Sequence, residues 1–118
     1  RESLTLANVT VAGNAAVGGD GGGVASVGGI LTVIGSTVSG NTAPRNGGGV
    51  SVRGGAAAVT ASTVSGNTAG ANGGGIDNSY AGGTLTVTAS TISGNAAGRD
   101  GGGINNLLAS LTLTTSTV

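Results

Sequence analysis

Apolar and polar positions alternate with a period of two at five places along the chain. They are Leu4-Thr5-Leu6, Leu31-Thr32-Val33, Ala57-Ala58-Val59, Leu85-Thr86-Val87 and Leu111-Thr112-Leu113, with Ala58 where the other copies carry Thr. Period two predicts a strand buried on one face, with Leu and Val turned inward and Thr turned out. A second short strand follows at Val9-Thr10-Val11, Ser36-Thr37-Val38, Ser62-Thr63-Val64, Ser90-Thr91-Ile92 and Ser116-Thr117-Val118. Its inward column is Val11, Val38, Val64, Ile92 and Val118. A third strand is predicted to begin at the glycine triplets 21–23, 47–49, 73–75 and 101–103 and to end on Val24, Val50, Ile76 or Ile104.

These elements recur at a nearly fixed step, with Asn14, Asn41, Asn67 and Asn95 separated by 27, 26 and 28 residues. Short strands at such a period, with no helical pattern, are the mark of a solenoid. The predicted fold is all-β: a parallel β-helix (β-solenoid) of about four rungs with three short strands each. Residues 1–118 then form one solenoid domain or segment, with repeats 3–29, 30–56, 57–83 and 84–109 and a partial repeat 110–118. One rung alone buries too few aliphatics to offset the entropy of ordering it. Each copy therefore resembles the next because it is the surface on which the next one folds.

Asn14, Asn41, Asn67 and Asn95 are predicted to form a structural ladder. Amides stacked about 4.8 Å apart hydrogen-bond along the column and cap the turn, and Asn tolerates the positive φ of a tight corner. The triplet glycines let the backbone pass close to a neighbouring wall. The stretches "ASVGG", "SVRGGAA", "DNSYAGGT" and "NNLLAS" absorb the differences in period, and a loop there would carry any specificity.

Composition narrows the function. The chain has 27 Gly in 118 residues, one aromatic residue and no Cys, His, Met, Trp or Phe. The 37% apolar residues recur in register, which separates the chain from a disordered Gly-rich linker. Four Arg balance four acidic residues, so no field gathers nucleic acid or anionic lipid, and no aromatics stand ready for base stacking. No apolar run approaches the roughly 20 residues of a membrane helix, so no membrane insertion by this segment is expected. Without Cys there are no disulfides or thiolate metal sites.

The motifs "GGGV" and "GGGI", paired with Val38-Ser39-Gly40-Asn41 and Ile92-Ser93-Gly94-Asn95, resemble the repeats of polymorphic outer-membrane proteins. A small aliphatic stands here where those repeats prefer Phe. The unit also resembles the "LTVTNSTISGN" arrays of large secreted bacterial surface proteins. The first resemblance implies a right-handed β-helix of the pectate-lyase-like kind, as in autotransporter adhesin passengers. It also implies an extracellular, cell-surface location of bacterial type, with a surface glycan or host ligand as partner.

Candidate chemistry is sparse. Polysaccharide cleavage on such a fold needs clustered carboxylates, and only Glu2, Asp20, Asp77 and Asp100 are present. Asp20 and Asp100 share a position in the repeat with Asn46 and Asn72, three rungs and so about 14 Å apart. A glycosidase pair needs roughly 5 to 9.5 Å. "GGDGGG" at 18–23 lacks the Lys of a phosphate loop, and no Asp recurs in every repeat as a calcium array needs. Asn8-Val9-Thr10 is a formal glycosylation acceptor, and Arg45 and Arg99 form a solvated pair on one corner. No catalytic, cofactor or metal residue is assigned, and no enzyme activity is expected.

The expected function is that of a non-enzymatic extracellular structural or adhesive solenoid. It would stack head to tail on itself into a filament, or on flanking rungs as part of a long surface fibre. One alternative is a segment of a polysaccharide-processing β-helix enzyme. Another is an ice-binding solenoid whose flat face carries the array Thr5, Thr32, Thr60, Thr86, Thr88, Thr112 and Thr114.

Overall fold

The computed structural model describes residues 3–118, and among them there are sixteen strands, β1 to β16 in chain order, and no helix. Four parallel sheets wrap one core. The first stacks β1 (Ser3–Ala7), β4 (Ile30–Ile34), β8 (Ala56–Thr60), β12 (Thr84–Thr88) and β16 (Ser110–Thr114). The second stacks β2 (Thr10–Ala12), β5 (Thr37–Ser39), β9 (Thr63–Ser65) and β13 (Thr91–Ser93), continued by a bridge from Thr91 to Thr117. The third holds the two-residue strands β6 (Thr42–Ala43), β10 (Thr68–Ala69) and β14 (Ala96–Ala97), preceded by a bridge from Ala15 to Thr42. The fourth stacks β3 (Val24–Val27), β7 (Val50–Arg53), β11 (Ile76–Asn78) and β15 (Ile104–Asn106).

The register is unbroken. Ser3 pairs Ile30, Ile30 pairs Ala56, Ala56 pairs Thr84 and Thr84 pairs Ser110, so four turns of a parallel β-solenoid separate β1 from β16. The first two sheets reach one level further than the last two, and the far end of the molecule is a step.

Three expectations are corrected. The cross-section has four strands per turn where three were predicted, because β6, β10 and β14 are too short to display a period. The third predicted strand does not end on Val24, Val50, Ile76 and Ile104 but begins there. Nor does the corner Asn adopt positive φ: Gly40 (63°) and Gly66 (64°) take it immediately before Asn41 and Asn67. Glycine carries that conformation at least cost and leaves the Asn free to aim its amide inward.

The core is a set of aliphatic columns. Leu31, Val33, Val38, Val50, Val52, Val59, Val64, Ile76, Leu85, Val87 and Ile92 are buried, and Ala57 fills the middle of the Leu31–Leu85 column. Close approach explains the glycine triplets. A Cβ on Gly48 would lie 2.5 Å from the carbonyl oxygens of both Thr68 and Gly74, and one on Gly49 would lie 2.6 Å from that of Gly75. Only glycine admits the neighbouring rung at this distance.

Candidate functional site

The solenoid satisfies its buried polar groups along its axis. At the corner between the second and third sheets, the Asn41 backbone N–H and Nδ2 both donate to Asn67 Oδ1 (2.9 and 3.0 Å), while Nδ2 also donates to the Val11 carbonyl at 3.0 Å. Asn67 repeats the pattern one rung on, toward Asn95 Oδ1 and the Val38 carbonyl. Asn14 donates in the same way to Asn41 Oδ1, and Asn95 Nδ2 reaches the Val64 carbonyl. Asn41 and Asn67 are wholly buried, Asn95 is half-buried and Asn14 is exposed on the first rung. The column has a direction, since Asn14, Asn41 and Asn67 each donate to the Oδ1 one rung on.

A second ladder was missed in the sequence. Ser36, Ser62, Ser90 and Ser116 occupy the corner between the first and second sheets, where each hydroxyl accepts the N–H of the preceding rung's residue. The donors are Val9, Ser36, Ser62 and Ser90, at 3.0 to 3.2 Å. Each hydroxyl also donates to the carbonyl two residues upstream, as Ser62 does to Thr60 at 2.8 Å. The signal was present in the Ser that precedes Thr-Val or Thr-Ile in four of the five repeats, but it reads equally well as the first residue of a strand.

A third column explains the alternation of Asp and Asn. Asp20 Oδ1 accepts the Asn46 N–H (3.0 Å), Asn46 Oδ1 that of Asn72 (3.1 Å) and Asn72 Oδ1 that of Asp100 (3.2 Å). This column runs opposite to the Asn14–Asn95 ladder, and any side chain with a β-carbonyl oxygen serves in it.

Val38, Val64 and Ile92 are buried in the inward column, whereas Val11 is half-buried and Val118 is 58% exposed on the outermost rungs. The Thr positions fall into two registered columns on the first sheet. One runs Thr5, Thr32, Ala58, Thr86 and Thr112, and the other Ala7, Ile34, Thr60, Thr88 and Thr114. Thr5, Thr86, Thr112 and Thr114 are exposed, and Thr32, Thr60 and Thr88 are half-buried.

Where the fourth sheet turns into the next rung, the repeat breaks. The connections Gly28–Gly29 and Gly54–Gly55 have two residues, whereas 79–83 has five and 107–109 has three. This edge holds the chain's single aromatic residue. Arg53 stacks over the Tyr80 ring at 4.5 Å from the centroid, donates Nη2 to its hydroxyl and faces Asp20 Oδ2 at 3.9 Å. Asp77 lies beneath, 1% exposed, with Oδ1 accepting from Asn105 Nδ2 (2.9 Å) and Oδ2 from the Ser79 hydroxyl (2.7 Å). Burial pushes its carboxyl above the usual range, the charge of Asp20 adds to the effect, and the Asn105 and Ser79 hydrogen bonds partly oppose it. Sequence spacing did not pair Asp20 with Asp77 because they belong to different columns two rungs apart. Glu2 lies outside the described residues.

Among the described residues no group of three or more His, Cys, Asp or Glu comes together in a way that could hold a metal ion. A shallow pocket lined by Leu4, Ala25, Val27 and Ile30 opens on the first rung. Leu4 on that rung and Leu113 on the last are each 47% exposed, although their equivalents Leu31 and Val87 are buried. No protein-family model, curated protein or solved structure matches the chain.

Proposed function

We propose that the protein is a non-enzymatic structural element of a bacterial cell surface, of the kind seen in autotransporter adhesin passengers. It extends by stacking rung on rung into a filament or long fibre. One observation carries this reading: sheets, aliphatic columns and Asn ladder repeat in unbroken register from rung to rung, so that each rung is built as the surface on which another stacks. An open parallel edge is a row of unpaired donors and acceptors and a template for a further strand. The irregular edge around Arg53 and Tyr80 is the natural place for an adhesive contact with a glycan or host ligand, being the part of the repeat that stacking does not constrain.

Negative-stain electron microscopy of the concentrated protein tests the reading. End-to-end assemblies should appear with an axial rise of about 20 to 24 Å per copy, from four to five rungs at about 4.8 Å. Leu4→Lys, which sets a charge in the stacking surface at an already half-exposed position, should abolish them. A monomer with no assemblies at high concentration overturns the proposal. The registered Thr columns support a second reading, ice binding, for which thermal hysteresis should be measurable and lost in Thr86→Tyr. Its absence from the unmodified protein ends that reading.

A further inference from the structure

The column Asp20, Asn46, Asn72, Asp100 sets the same kind of dipeptide in every rung. Each member is followed by glycine, as Asp20-Gly21, Asn46-Gly47, Asn72-Gly73 and Asp100-Gly101, and no other Asn in the chain precedes a Gly. The fold imposes both halves. The first residue must offer a β-carbonyl oxygen, because Asp20 Oδ1, Asn46 Oδ1 and Asn72 Oδ1 each accept a backbone N–H from the next rung. The second must be Gly, because φ is 67° at Gly47 and 65° at Gly73, and a Cβ there would lie 2.5 Å from the carbonyl oxygen of Val50 or Ile76. An Asn before Gly is a chemically labile point, since no side chain hinders attack of the following peptide nitrogen on the amide.

The amide nitrogen at these two positions has no structural task. The side-chain hydrogen bonds of the column use the backbone N–H and Oδ1, and among the described residues none uses Nδ2 of Asn46 or Asn72. By contrast, Asn41 Nδ2 and Asn67 Nδ2 each donate to a carbonyl and to an Oδ1. Asp20, which has no such nitrogen, serves as an acceptor in the column all the same.

We infer that Asn46 and Asn72 are self-modification sites, at which the folded solenoid converts its own asparagine to aspartate and keeps its register. The Gly47 peptide nitrogen gives up its proton to solvent and bonds to Asn46 Cγ, the Cγ–Nδ2 bond breaks, and Nδ2 leaves as ammonia. Water then opens the cyclic imide. Addition at Cγ breaks the new N–Cγ bond and restores the chain with Asp at position 46, so that Asn and water have become Asp and ammonia. Addition at the backbone carbonyl routes the chain through Cγ instead, and this β-linked product lengthens the main chain beside Gly48, whose close approach to the next rung leaves no room for it. The same steps apply at Asn72 and Gly73. The fold sets the pace, because the Gly47 N–H donates to the Asn72 carbonyl and the Gly73 N–H to the Asp100 carbonyl, both at 2.9 Å, and local opening must free each nitrogen first. Each conversion adds one negative charge to a chain whose formal net charge is zero.

Ageing the intact chain at mildly alkaline pH, with and without urea, and separating the Asp and β-linked peptides by mass spectrometry tests this. Asn46 and Asn72 should convert ahead of every other Asn, at least about tenfold more slowly in the folded protein, where ladder bonds must open first. The aged protein should focus at a lower isoelectric point and keep its sheet signal in circular dichroism. Asn46→Asp and Asn72→Asp should melt in urea close to the parent, with any loss from repulsion between neighbouring carboxylates restored by salt. Asn67→Asp, which removes an Nδ2 that is in use, should melt far earlier at any salt concentration. The inference is overturned if the folded protein converts neither site, if Asn41 or Asn67 converts as fast, or if Asn46→Asp and Asn72→Asp lose stability that salt does not restore.

Discussion

Asn67 takes part in five hydrogen bonds that together join three rungs: two to Asn95 Oδ1, one to the Val38 carbonyl, and two accepted from Asn41. Asn67→Ala strands the Asn41 N–H in the core and removes the side-chain donor from the Val38 carbonyl, which should cost about 3 kcal/mol. Thr63→Ala, on the outward side of β9, should cost under about 1 kcal/mol. Urea melts of the two variants should differ accordingly, and equal midpoints would contradict the ladder. Asp77 makes a pH prediction. Its folded-state carboxyl titrates above the ordinary 3.8, so the folded state holds the proton more tightly than the unfolded chain. The associated stability is present below the unfolded value and is lost as pH rises through the folded one. Asp77→Asn should therefore be more stable than the parent at pH 7, and the gap between their urea midpoints should close on acidification. A gap that widens instead would show that the charged form is the stabilised one. At this scale the Asn column was legible because one residue type recurs at one spacing. The contacts of Arg53 with Asp20 and Tyr80 were not, since they join different columns across rungs and no linear spacing encodes them.

The strands divide into those that reveal themselves by period and those that do not. The five-residue strands of the first sheet alternate inward Leu, Ala or Val with outward Thr, Ala or, in β4, Ile, and β5, β9 and β13 of the second turn one Val or Ile inward between outward Thr and Ser. β6, β10 and β14 have two residues each, one facing in, and two residues cannot display an alternation. The fourth sheet hid its start because the preceding glycines, although bent, also bond to the neighbouring rungs, as the Gly48 N–H does to the Gly73 carbonyl at 3.0 Å. The inward side of the second sheet is testable with Val64, which is wholly buried between Val38 and Ile92. Val64→Asp would bury an unpaired charge in the column and should lower stability by more than about 4 kcal/mol. Loss of the sheet signal in circular dichroism at room temperature is the expected result, and a cooperative melt close to that of the parent would refute the inward assignment.

For the whole molecule, the parallel solenoid follows from the repeat step alone, whereas its four-sided cross-section needed the register of every sheet. That register also governs how the chain finds its fold. Each strand's partner lies 26 to 28 residues away in a chain of 118, so the ladder bonds carry a relative contact order of roughly 0.2, at the slow end for a chain of this size. The cost falls unevenly in time. The first pair of rungs must close loops with no template beneath them, and every later rung lays its strands against an edge already formed. In the fibre proposed above, folding of one chain and growth of the assembly would be the same event, nucleation followed by addition at an edge.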